Sequence, residues 1–152
     1  PYIMNKTGMN ADEMNEYMNK KCGFLGVSGI SSDCRDVSAA AKAGNKRAQL
    51  ALDIVSYQIR KFIGAYTAAM GGLDAIVFTA GIGENDWEMR ESVCSKLGYF
   101  GVEFDAEHNA HLPRPLTATE ISKPTSKVKV FMIPTNEELV IASDTERIVK
   151  AL

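Results

Sequence analysis

The 152 residues carry 17 Lys and Arg against 19 Asp and Glu, a net charge of −2, with 45% apolar and 24% charged residues. That composition fits one ordinary folded domain with room for a core and excludes disordered and fibrous classes. The near-neutral balance offers no broad basic face for nucleic acid or an anionic membrane, and no apolar run approaches the ~20 residues needed to span a bilayer.

The start, PYIMNKTG, lacks the parts of a signal peptide, so a cytosolic location is the expectation. Cys22, Cys34 and Cys94 are odd in number, far apart and free of any CxxC pattern, which reads as reduced thiols rather than a disulfide framework or zinc site. The chain opens on Pro1 rather than Met, and a piece cut from something longer is expected.

In chain order, Asn10 with Glu13 makes a capping-box pattern, and Met14, Tyr17 and Met18 follow at helical spacing before Gly23. A short amphipathic helix is predicted there. Residues 24–36, FLGVSGISSDCRD, are rich in Gly and Ser and read as loop, leading into a small-residue helix, DVSAAAKA, closed by Gly44. Residues 45–70 hold the longest helical pattern. Its stripe of Ala51, Val55, Ile59, Phe62, Ile63, Tyr66 and Met70 is expected in the core, with Gly71 and Gly72 ending the helix.

Residues 75–78, AIVF, are continuously apolar between Asp74 and Thr79, which suits a strand covered on both faces, as in a parallel sheet. Asn85 and Glu88 form a second capping-box pattern for a helix running to about Leu97. VKVFMIP, residues 128–134, is a second buried strand, and Thr135 with Glu138 opens a last helix over roughly 136–150. The order helix, strand, helix, irregular segment, strand, helix predicts an α/β fold. Two strands are nevertheless too few for the sheet of a stable α/β domain.

Three stretches carry chemistry. Gly81-Ile82-Gly83-Glu84-Asn85 lies between strand and helix, where glycines permit positive φ and bring backbone N–H groups up to an anion such as a nucleotide phosphate; a plain tight turn explains the same glycines equally well. A dinucleotide-binding GxG is weakened by Asp86 at the third glycine position, although Glu103 or Asp105 lies about twenty residues on. No P-loop lysine follows. In Ser31-Ser32-Asp33-Cys34-Arg35-Asp36, an Asp and an Arg two apart can address the hydroxyls and ring of a nucleoside, and a loop ion pair leading to a helix cap is the competing account. In Asn136-Glu137-Glu138, a carboxylate just past a strand end suits Mg²⁺, while capping suits Glu138. His108 and His111, in a polar stretch, read as solvated.

Taken together, SGISSDCRD, DAIVFTAGIGEN with Arg90 following, and IPTNEELVIASDTERI resemble the last part of the acetate kinase family, in order and spacing, over essentially the whole chain. The resemblance implies the distal part of an RNase H-like domain of the actin, Hsp70 and sugar-kinase type, with the first strands of its sheet missing. The whole chain, residues 1–152, is then a partial C-terminal nucleotide-binding domain. It further implies ATP/ADP and Mg²⁺ as ligands, Gly81, Ile82, Gly83, Glu84 and Asn85 lining the nucleotide, Asp33, Cys34 and Arg35 flanking adenosine, and Glu137 on Mg²⁺. Position 34 is often bulkier in the family, so Cys34 implies looser contact with the base.

The family's catalytic Asp and His, its HLGNG phosphate loop and its GTRSG-type segment do not occur in this sequence. The implied activity is reversible phosphoryl transfer between ATP and acetate, giving acetyl phosphate, in a homodimer built through C-terminal domains; this portion holds nucleotide and is expected to be inactive alone. Kin that prefer propionate or butyrate, a non-catalytic nucleotide-binding or assembly module, and a dinucleotide-dependent oxidoreductase are the alternatives.

Overall fold

A computed structural model of the chain describes residues 1–151, apart from the side chain of Glu137. It divides into two compact units, Pro1–Tyr66 and Thr67–Leu152.

The first unit is helical: α1 (Tyr2–Thr7), α2 (Ala11–Lys21), α3 (Gly23–Ser28), α4 (Cys34–Lys42) and the first part of α5 (Lys46–Met70). The Asn10 capping box forms as expected, Asn10 Oδ1 accepting from the Glu13 N–H at 3.0 Å and Glu13 returning a carboxylate oxygen to the Asn10 N–H at 2.8 Å. Residues 24–36 are not all loop. Gly23 takes φ 64 and starts α3, and Gly29, at φ 70, ends it. Val37, Ala48 and Ala51 form a small core under Phe24, Val27 and Leu52, and Arg47 Nε donates to the Val27 carbonyl at 2.8 Å, tying α5 to the end of α3.

The expected α5 stripe is buried at its start only. Ala51 is 2% exposed, whereas Phe62, Tyr66 and Met70 are 57%, 61% and 66% exposed. Periodicity identifies the apolar face of a helix but not what lies against it.

The second unit contains β1 (Ala75–Phe78), α6 (Ala80–Asn85), α7 (Trp87–Cys94), α8 (Ala106–Ala110), β2 (Thr119–Glu120), β3 (Lys129–Met132) and α9 (Glu137–Lys150). The sheet has three strands in the order β1-β3-β2, parallel between β1 and β3 and antiparallel between β2 and β3. The fold is thus α/β, and the short β2 adds a strand to the two expected from the sequence. Ile76, Val130 and Met132 point into a core completed by Met89, Val93, Leu97 and Ile121. The other sheet face is open at Val77, 51% exposed, so the apolar run in β1 is covered on one side rather than two.

Candidate functional site

Because β1 and β3 run parallel with Phe78 opposite Met132, both strands leave the sheet at the same end, and the Ile133 N–H donates to the Phe78 carbonyl at 2.9 Å to extend the pairing. Segments 79–85 and 133–136 therefore emerge side by side. The C-terminal ends of parallel strands are where open α/β sheets collect ligands.

The glycine segment differs from the expected loop. Residues 80–85 wind into α6, and the residue at positive φ is Ala80, at 57°, not a glycine. Neither Gly81 nor Gly83 is needed for its dihedrals. Gly83 is needed for space, since a Cβ there would lie 3.2 Å from the Phe78 carbonyl carbon. Gly81 meets neither demand: a Cβ on it would have nothing within 4 Å, so its bare backbone faces open room. Asn85 does not cap the next helix. Its Nδ2 donates to the Gly81 carbonyl at 3.0 Å, and Asp86 caps α7 by accepting from the Met89 N–H at 2.8 Å. Exposed Arg114, which the sequence reading passed over, donates to Asn85 Oδ1 at 3.3 Å and brings a cation to the segment.

Two side chains hold α6 in place. Arg90, 2% exposed, donates from Nη1 to the carbonyls of Gly83 and Glu84 at 2.8 and 2.9 Å, and from Nε to Asn109 Oδ1 at 2.6 Å. Asn109 in turn donates to the Trp87 carbonyl at 2.9 Å. Burial pulls the Arg90 pKa down, yet a guanidinium keeps its charge at any ordinary pH. The other is Glu84, whose carboxylate oxygen accepts from both the backbone N–H and the hydroxyl of Thr135, at 2.7 and 2.8 Å. The Thr135 N–H, then its hydroxyl, hold the Glu84 carboxyl below its usual range.

Thr135 is therefore not the cap of α9. That role falls to Asn136, which accepts from the Leu139 N–H at 3.0 Å. Glu137 is the first residue of α9, and the Mg²⁺ expectation for its side chain lies outside the described residues.

In the first unit, Asp33 caps α4 by accepting from the Arg35 N–H at 2.8 Å, and also accepts from Arg35 Nε at 3.1 Å. These bonds depress its pKa to about 2, the Arg35 side chain contributing most. Locally this is the ion pair and cap that the sequence allowed as an alternative. The Arg35 side chain is 90% exposed, leaving a guanidinium face open. Cys34 is half-buried.

The acids required by a dinucleotide reading are engaged elsewhere: Asp105 caps α8 through the His108 N–H at 2.9 Å, and Glu103 accepts from the Thr125 hydroxyl at 2.8 Å. His108 and His111 border an open hollow of about 440 Å³ with Asp105 and Glu107. Among the described residues no group of three or more His, Cys, Asp or Glu is placed to hold a metal ion, and no helix is long and apolar enough to cross a membrane.

The family model for the Acetokinase family matches residues 1–143. The acetate kinase of Treponema denticola is 56% identical over 150 residues, covering 99% of this chain and 37% of that protein. Among solved structures, Porphyromonas gingivalis acetate kinase matches with 47% identity and a TM-score of 0.86, over 97% of this chain and 37% of its own. A propionate kinase from Francisella tularensis matches with 38% identity and a TM-score of 0.80, over 93% and 35%. The chain thus spans a little over a third of the length of these relatives.

Proposed function

The chain belongs to the acetokinase family, and on that premise we propose that it is the nucleotide-holding part of an acetate kinase, which reversibly transfers the γ-phosphoryl group of ATP to acetate to give acetyl phosphate and ADP. The observation that carries this reading is the meeting of Gly81–Asn85 with the start of α9 at the ends of two parallel strands, with the Gly81 backbone open to approach. A backbone stripped of Cβ at that place suits a diphosphate.

In this reading each residue has a task. Gly81 lets the chain lie against the diphosphate, Gly83 lets that segment pack on the Phe78 backbone, Ile82, 42% exposed, offers apolar surface to the nucleoside, and Glu84 and Asn85 complete the wall. Arg35 presents its guanidinium face to the base, Asp33 accepts from ribose hydroxyls, and Cys34 borders the base with less surface than a larger apolar residue. Glu137 is the carboxylate for Mg²⁺, a donor set that fits a metal held mainly by phosphates and water. Bound Mg²⁺ supplies neutralisation of phosphate charge. Alignment of the acceptor and stabilisation of the transferring group fall to residues outside this chain, so the chain alone is expected not to turn over.

The wider reading is a partial C-terminal, RNase H-like domain of a cytoplasmic homodimer. The acyl acceptor is a separate question. The likeness to a propionate kinase favours, as a second reading, a kinase for a slightly longer carboxylate.

Trp87, the one tryptophan, lies two residues beyond Asn85 and is 39% exposed. Its fluorescence should change saturably with MgADP and not with NAD. Saturation by NAD alone would overturn the proposal, as would acetyl phosphate formation by the purified chain for the inactive-alone part of it.

A further inference from the structure

We propose that Glu84 is a positioning residue that joins the two ligand-bearing segments, its carboxylate fixing where the chain turns from β3 into α9 relative to the glycine segment. The inference rests on the nucleotide reading given above and adds to it a device for setting the metal carboxylate. Glu84 belongs to α6, yet both of its hydrogen bonds to Thr135 cross 51 positions of sequence to the turn just before Glu137.

The geometry is that of a bracket. Pro134 has no N–H, so the Thr135 N–H is the next backbone donor after that of Ile133, which bonds the Phe78 carbonyl, and the carboxylate continues on the α6 side a pairing that the strands have just ended. Two donors from one residue fix direction as well as distance. The Glu84 backbone is itself held, because the Arg90 guanidinium binds its carbonyl and that of Gly83. Stiffness therefore runs from the buried Arg90 through the Glu84 backbone and carboxylate to Thr135, two residues before Glu137, the first residue of α9. A group that orients a metal ligand from behind commonly matters to the metal more than to the rest of the site.

The test uses the 152-residue chain and two isosteric variants, Glu84→Gln and Thr135→Val. Thr135 is exposed and Glu84 half-buried, and each change keeps the side-chain volume. ADP is titrated with and without Mg²⁺, read by Trp87 fluorescence, and amide hydrogen exchange is followed in α7 and in the first turn of α9. For Thr135→Val the affinity for ADP with Mg²⁺ should fall about tenfold while that for metal-free ADP stays as in the parent, and Glu84→Gln should lose more affinity with Mg²⁺ than without. Exchange should quicken in the first turn of α9 and not in α7.

An equal loss with and without Mg²⁺ in Thr135→Val would overturn the proposal. Unchanged exchange at α9 in both variants would overturn it as well. Should the parent chain show no response to ADP at all, the nucleotide reading falls, and the exchange measurement still decides the bracket.

Discussion

Replacing Asn109 by Ala perturbs the polar knot beneath the glycine segment at one point. Asn109 is 1% exposed, accepts from Arg90 Nε at 2.6 Å and donates to the Trp87 carbonyl at 2.9 Å. Its loss leaves a buried cationic donor and a backbone carbonyl without these partners. A buried group so orphaned costs about 1–3 kcal/mol, with the cationic one toward the top of that range. Together they amount to about 3–4 kcal/mol, or about 6–16 °C in Tm for a chain of this size.

Urea unfolding followed by Trp87 fluorescence reads this directly, because the probe sits on the carbonyl that Asn109 binds. Arg90→Met should cost a similar amount by freeing the Gly83 and Glu84 carbonyls. The double variant should cost at least about 1.5 kcal/mol less than the sum, since each single change already breaks the shared bond. A loss under about 0.5 kcal/mol for Asn109→Ala, the range of plain surface substitutions, would refute the reasoning. So would strict additivity.

Gly81→Ala should stabilise the chain by about 0.5–1 kcal/mol, since it lies within α6 with open room for a Cβ, yet weaken MgADP binding in the same fluorescence titration. Gly83→Ala should destabilise it by about 1–2 kcal/mol, its Cβ pressing on the backbone of Phe78. Cys94 is buried, and burial pushes its thiol from 9.0 to about 12, so a thiol reagent at pH 8 should label exposed Cys22 quickly and Cys94 only on unfolding. A raised thiol pKa stabilises fully below the unfolded value and loses that contribution as pH climbs from 9.0 toward 12. The carboxyls of Asp33, Glu84 and Glu120 are depressed by their hydrogen-bond donors, Asp33 to about 2. Unfolded chains bind those protons first, so stability should fall as pH drops from about 4.5 toward 2, as acid titration of the Trp87 signal and helical circular dichroism would register.

What was legible in the sequence is what local chemistry decides. AIVF is a strand over the very residues expected, and Asn10 with Glu13 caps α2 because both partners lie within one turn. Where several short polar residues stand in a row, the pattern cannot choose among them. Asn85 and Thr135 were the expected caps, and in both places the next residue, Asp86 or Asn136, caps while the expected one bonds elsewhere. The Glu84–Thr135 bracket and the Arg90–Asn109 bond span 51 and 19 residues, with no periodic signal to announce them. Residues 98–127 looked irregular for a related reason. Apart from the short α8 and β2, they are ordered by side-chain bonds to backbone, such as Ser126 Oγ to the Val128 carbonyl at 2.6 Å, which leave no hydrophobic period behind.

The apolar faces left open carry a consequence for the site. In α9, Leu139, Val140, Ile141, Ile148 and Val149 are each more than half exposed, as are Phe62, Tyr66 and Met70 in α5. Amphipathic patterning in these helices is real, and in a chain spanning a little over a third of its relatives' length it meets no cover among the described residues. Such helices owe little of their stability to packing and are the first to fray. The glycine segment is fastened differently: Arg90, Asn109, Glu84 and Thr135 hold it by hydrogen bonds confined to residues 83–135, over a core from Ile76 to Met132. Fraying of the far end of α9 therefore need not reach Thr135, because Asn136 caps the near end and the Glu84 bracket lies one residue before it. The order in which hydrogen exchange proceeds should follow: the last turns of α9 first, its first turn later, and α7 last.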